Sequence, residues 1–185
     1  MADIGLTPEQ LKDLFYDYAI AILGEGADVR RSWPTFGAPA WEVTDDVIFY
    51  KIFDVPSSMS VLREDVFSQD GSPEDGNMET SHTRTLQVNW LFYGPNSWTN
   101  ADLMRNSVYY QEIRDILSVY QMYLVPDFDP PRNMPELFQG LWYERWDLSV
   151  NYNEMIRINR PVNNIESVEI VLSDKSGVRE EIVVE

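Results

Sequence analysis

Two stretches of strict alternation constrain this chain more than anything else in it. Leu86, Val88, Trp90 and Phe92 share one side of an extended segment, while Thr85, Gln87 and Asn89 share the other. From Leu141 to Asn153 the pattern recurs: Trp142, Trp146, Leu148, Val150 and Tyr152 point one way, and Tyr143, Arg145, Asp147, Ser149, Asn151 and Asn153 the other. A side-chain period of two marks strands with one apolar face. Such a face must be covered by a second layer, so the chain has to supply helices.

Two segments qualify. At Thr7-Pro8-Glu9-Gln10 a capping box carries proline at the first helical position, and Leu11, Leu14, Phe15, Tyr18 and Ile22 follow at helical spacing as far as Gly24. Tyr16, Ile20 and Leu23 fall on the opposite side of this helix, which gives it two apolar faces. The second face is read either as a contact with a neighbouring subunit or as burial deep in one core. A second helix is expected from Thr99 or Asn100 to about Leu117. Leu103, Tyr110, Ile113 and Leu117 would line its inner stripe, and Met104 and Val108 its back, a second candidate subunit contact.

The rest of the chain reads as loops and strands. A loop rich in Pro and Trp covers Val29 to Thr44, and Val47 to Phe53 is apolar at nearly every position, as in a central strand. The flanks Val61 to Phe67 and Thr80 to Tyr93 look like the arms of a long hairpin around a turn-rich, acidic segment. A short strand is expected near Tyr120 to Val125. A final strand pair, Ile165 to Leu172 and Val178 to Val184, closes around Ser173–Gly177. The expected fold is therefore α+β, a single domain over residues 1–185. Its twisted, mostly antiparallel or mixed sheet carries a long hairpin and is packed by two main helices. An acidic loop is inserted at about 64–79.

Composition narrows the function. Fourteen Lys+Arg against 31 Asp+Glu give a formal net charge of −17, a surface that repels phosphate backbones and anionic membranes. No apolar run approaches a membrane span. With no cysteine there are no disulfides or thiolate sites, and the single histidine, His82, rules out a His-rich metal site within one chain. The N-terminus lacks the sections of a signal peptide, so the protein is not expected to be exported. Asp127 and Asp129 have the spacing of a divalent-cation pair, but flanking prolines favour an exposed turn. Glu144 and Asp147 are separated by an odd number on one strand and cannot face each other as a glycosidase pair. No phosphate loop, nucleotide fingerprint or nucleophile elbow is present. No enzyme, cofactor or metal is expected. Six Trp, ten Tyr and eight Phe exceed what a bare acidic domain requires, and they suit permanent subunit contacts or the filling of a sheet core.

Val88-Asn89-Trp90-Leu91-Phe92-Tyr93-Gly94-Pro95-Asn96-Ser97, followed by Ala101-Asp102, resembles the central block of phage tail (neck) terminator proteins. Leu141-Trp142-Tyr143-Glu144-Arg145-Trp146-Asp147-Leu148 through Tyr152-Asn153-Glu154 resembles the second block of that family. Pro39-Ala40-Trp41 with Val47-Ile48-Phe49-Tyr50 stands ahead of them and Ile165-Glu166-Ser167-Val168 behind, in the same order, so the likeness runs from about Trp33 to Leu172. The resemblance implies a virion protein of a tailed phage, forming a ring, typically hexameric, at the head-proximal end of the tail. Such a ring stops tail-tube polymerisation and meets a head or neck connector. Its implied partners are copies of itself, the tail tube protein and a connector or stopper protein, while genome DNA passes without specific binding. Tyr16, Ile20, Leu23, Met104 and Val108 are the expected subunit contacts. Glu64, Asp65, Asp70, Glu74, Asp75 and Glu79 form an acidic loop facing the channel or a partner, or else a solvated outer loop. The competing readings are another neck connector or stopper subunit and, from a different class, an acidic DNA-mimic inhibitor.

Overall fold

A computed structural model of the chain describes residues 5–34, 36–69, 75–163, 168–173 and 179–184, with side chains described only as far as residue 162 and not at 75. The chain is α+β. Helix α1 spans Pro8–Leu23, α2 Ser97–Ser107 and α3 Gln111–Val119. The strands are β1 (Asp28–Arg31), β2 (Val47–Val55), β3 (Glu64–Gln69), β4 (Asp75–Tyr93), β5 (Met122–Val125), β6 (Arg132–Asn133), β7 (Glu136–Phe138), β8 (Leu141–Tyr143), β9 (Arg145–Asn163), β10 (Val168–Ser173) and β11 (Arg179–Val184). The main sheet runs β1-β2-β4-β9-β5, with β3 added to β4 and β6 to β9. It is mixed because β1 pairs in parallel with β2, whereas β2 with β4 and β5 with β9 are antiparallel.

The chain divides into two compact units. The larger comprises Ile4–Leu62 and His82–Ile156 and holds the three helices. Its α1 begins as the capping box dictates: the Gln10 N–H donates to Thr7 Oγ1 at 3.3 Å and the Thr7 N–H to Gln10 Oε1 at 2.9 Å. Leu11, Leu14, Phe15, Tyr18 and Ala19 are buried against the sheet. Tyr50, Trp90 and Tyr152 rise to meet them, with Trp90 edge-on to Tyr18 at 6.0 Å and Phe15 at 5.3 Å from Tyr152. Trp90 thus fills the sheet core, and Trp146 packs partly against it. Tyr18 Oη and Ser107 Oγ lie 2.8 Å apart, tying α1 to α2.

Burial pushes the Tyr18 phenol from 10.0 up to about 12, with the Ser107 bond pulling the other way. Burial and then Tyr18 hold Tyr152 well above the ordinary value. A phenol whose folded pKa is raised adds stability that is complete below the unfolded pKa and is lost as pH rises through the folded one. Stability is therefore expected to fall between pH 10 and about 12, and Tyr18→Phe to flatten that fall in denaturant titrations. Equal alkaline losses in both proteins would contradict this assignment.

The second helix differs from expectation. Asn96, not Thr99 or Asn100, precedes its first turn, and it stops at Ser107. The Tyr110 N–H donates to the Ser107 carbonyl at 2.9 Å, and α3 starts afresh at Gln111. This break resets the helical phase. Met104 and Val108 lie inside with Ala101, in the core, while Leu103 and Tyr110 are exposed; Ile113 and Leu117 stay buried as expected. Met104 and Val108 are consequently not an outward stripe. The segment expected to be loop after Val29 begins with β1, whose Val29 is buried.

The smaller unit comprises Arg63–Ser81 and Arg157–Glu185 with the N-terminal Met1–Asp3. Here β3 pairs with the first part of β4, from Glu64↔Ser81 to Gln69↔Gly76. Asn77 Nδ2 donates to Asn159 Oδ1 at 3.2 Å, and Arg157 lies 3.8 Å from Glu79. The hairpin β10–β11, the expected final strand pair, runs in register from Val168↔Val184 to Ser173↔Arg179.

Candidate functional site

Along β2, Ile48, Tyr50 and Ile52 turn toward the helices, so Phe49, Lys51 and Phe53 must turn toward the other face of the sheet. Leu91 and Tyr93 of β4 join them there, and the segment from Ser32 to Trp41 crosses the same face, held where Arg30 Nη1 donates to the Pro39 carbonyl at 2.6 Å. Trp41 is the hub of the cluster. Its ring lies 4.8 Å from that of Tyr93, 4.9 Å from Tyr143 and 6.1 Å from Phe49. The small hairpin β7–β8 contributes Phe138 and Tyr143, and together these groups enclose a cavity of about 550 Å³.

Several polar groups of this face are tied to one another. Arg145 sits over the Tyr93 ring at 5.7 Å and donates to both Asp147 oxygens at 2.7 and 2.6 Å and to Glu136 at 3.3 Å. The Asp147 bond is the main reason its pKa is raised. The Tyr93 hydroxyl donates to Glu136 at 2.8 Å, and burial followed by that bond holds it well above the ordinary phenol range. Farther along, Gln87 donates to Asn151 at 3.0 Å and Thr85 to Asn153 at 2.9 Å, a ladder of neutral pairs. With both carboxylates held by Arg145, the face offers aromatic surface and fixed hydrogen bonds rather than a free base.

The residues singled out from sequence do not converge on this site. On α1, Tyr16 is exposed, but Ile20 and Leu23 pack partly against the core, so the outward apolar face is narrower than its spacing implied. Met104 and Val108 are core residues. Glu64, Asp65 and Glu79 stand on β3 and β4, not in a loop, because the register continues to Gln69↔Gly76. Asp75 begins β4, and Asp70 and Glu74 lie outside the described residues. Asp129 is paired with Arg132 at 2.5 Å, and among the described residues no group of three or more His, Asp or Glu is gathered as a metal would need. His82 is half-buried.

Trp41, Phe49, Tyr93, Tyr143 and Arg145 belong to the sequence blocks quoted above, and the fold brings these blocks to one place. Gly94, within the same wording, has φ +100 and lets the backbone turn against Asp45 and Asp46. Asp46 accepts from the Asn96 backbone at 2.8 Å and from Asn96 Nδ2 at 2.6 Å. Lys51, Trp33, Phe53 and Glu136 were missed. The strand around Lys51 reads as a continuous apolar run, and only the lysine itself hints that one face is open.

Comparison with curated proteins gave no match. The sequence profile of the phage neck terminator protein family matches residues 9–176, nearly the whole chain and both alternating segments. The chain therefore belongs to the phage neck terminator family.

Proposed function

We propose that this neck protein forms a closed ring, of six copies, at the head-proximal end of the tail, where it ends growth of the tail tube and carries the joint to a connector or stopper protein. The family match over residues 9–176 carries this reading. Apolar surface on the larger unit supports it: Trp142 is 65% exposed on β8 and Val119 75% at the end of α3, and Leu137, Phe138 and Leu141 are also more than half exposed. Surfaces of that kind belong in lasting contacts. A ring contact is heterologous and needs two different patches on each chain. The net charge of −17 suits a channel through which genome DNA slides without adhering.

On this reading the protein catalyses nothing and needs neither cofactor nor metal. It takes its place in the particle after assembly in the host cytoplasm. No helix among the described residues is long and apolar enough to cross a membrane. Particles assembled without the chain are expected to yield tails of uncontrolled length that fail to join heads. Tails of normal length, joined to heads in its absence, would rule out the terminator role. Tails of normal length left unjoined would point instead to a connector or stopper subunit.

A further inference from the structure

Lys51 is anomalous in a chain with more than twice as many acids as bases. Its Nζ lies 4.5 Å from the Trp33 ring and 4.7 Å from the Phe53 ring, and it has no carboxylate partner among the described residues. The neighbouring cations are all satisfied: Lys12 by Glu9, Arg31 by Glu9 and Asp13, Arg84 by Glu154, and Arg145 by Asp147. Beside it Trp33 is 80% exposed and stands at φ +52, a left-handed conformation that is strained for a bulky side chain. A strained, solvent-facing tryptophan beside an unneutralised lysine, at the mouth of an aromatic cavity, is arranged for an acidic and apolar visitor.

The same chain displays such a segment. All six residues of β3 are exposed; Val66 is 50% and Phe67 49% exposed. Among the described residues β3 pairs only with β4. Asp65 and Phe67 are two apart and share one face of the strand, roughly 7 Å from each other. Among the described residues Asp65 accepts one side-chain bond, from Thr80 at 2.5 Å, and a carboxylate can accept several.

We propose that the cavity beside Lys51 is the seat of a second copy of this chain, whose β3 inserts Phe67 among the aromatic rings and sets the Asp65 carboxylate on Lys51. The contact rests on the ring reading above. It joins two different patches of one sequence, as a closing heterologous contact requires.

The test uses the full chain, with mass distributions measured across micromolar concentrations and circular dichroism confirming folding. Lys51→Glu and Phe67→Ala are each expected to weaken association on the order of 30-fold, as loss of a central anchor does. Lys51→Glu combined with Asp65→Lys restores the opposite charges at every contact and should recover at least about ten-fold of that loss. If Lys51→Glu assembles as the wild type does, or the double variant is no better than the single, the contact is wrong and the ring reading stands. A wild type that stays monomeric in solution and in particles defeats both. If rings of Lys51→Glu form normally but fail to join the rest of the particle, another neck or tail protein occupies the site, and the second-copy assignment falls.

Discussion

Arg84→Met is expected to destabilise the folded chain by about 3–5 kcal/mol, because it strips a fully buried carboxylate of its counter-charge. Glu154 has no exposed surface, while the Arg84 side chain is 24% exposed. The Glu154 carboxylate accepts from Arg84 Nε at 3.0 Å, from Arg84 Nη2 at 2.6 Å and from the Leu6 N–H at 2.8 Å. Arg84 Nη2 also donates to the Leu6 carbonyl at 3.1 Å. The pair therefore joins β4 and β9 to the residue just ahead of the α1 cap. Removing either member leaves a charge and a backbone group of Leu6 without partners, and the start of α1 loses its anchor. Replacing both, as Arg84→Met with Glu154→Leu, should recover most of the loss, since well-packed apolar pairs often match buried ion pairs. Denaturant unfolding at neutral pH checks the series. A loss below about 1 kcal/mol for Arg84→Met would mean that solvent reaches the pair.

Gly94→Ala is expected to cost about 3 kcal/mol or more. At φ +100 any side chain is strained, and here an added Cβ also collides with the Asp45 carbonyl oxygen and comes within 2.6 Å of Asp46 Oδ1. Neither neighbour can yield cheaply. Asp45 O is backbone, and Asp46 is engaged by Asn96, the residue before α2. The Gly94 N–H also donates to the Glu144 carbonyl at 3.3 Å, next to Arg145 of the aromatic site. The variant should therefore unfold at lower denaturant and show altered tryptophan fluorescence, since Trp98 of α2 lies 4.5 Å from Trp146. Unchanged stability would show that the turn relaxes freely.

How much of this was legible depended on whether the signal was local. Thr7, Pro8 and Gln10 define the start of α1 through bonds within one turn, and the alternation around Trp90 and Leu148 follows from the geometry of a single strand. The break between α2 and α3 was hidden because Val108, Tyr109 and Tyr110 include neither Gly nor Pro; only packing reveals it. With the phase lost there, the inner and outer assignments of Met104, Val108 and Leu103 inverted. Strand β1, with sequence Asp-Val-Arg-Arg, carries three charges in four residues and gains its place by pairing in parallel with β2. The acidic residues were visible, but their membership of paired strands rests on a register between residues up to 17 apart. The aromatic site draws on β2, β4, β7, β8 and the segment before Trp41, so no window of sequence contains it.

Electron cryomicroscopy of intact tailed particles, with this chain located in the density, tests the central claim most directly. The expected result is a closed ring of six copies capping the head-proximal end of the tail tube, with the connector or stopper on its other side. Finding the chain away from that junction, or present there without a closed ring, would contradict the account.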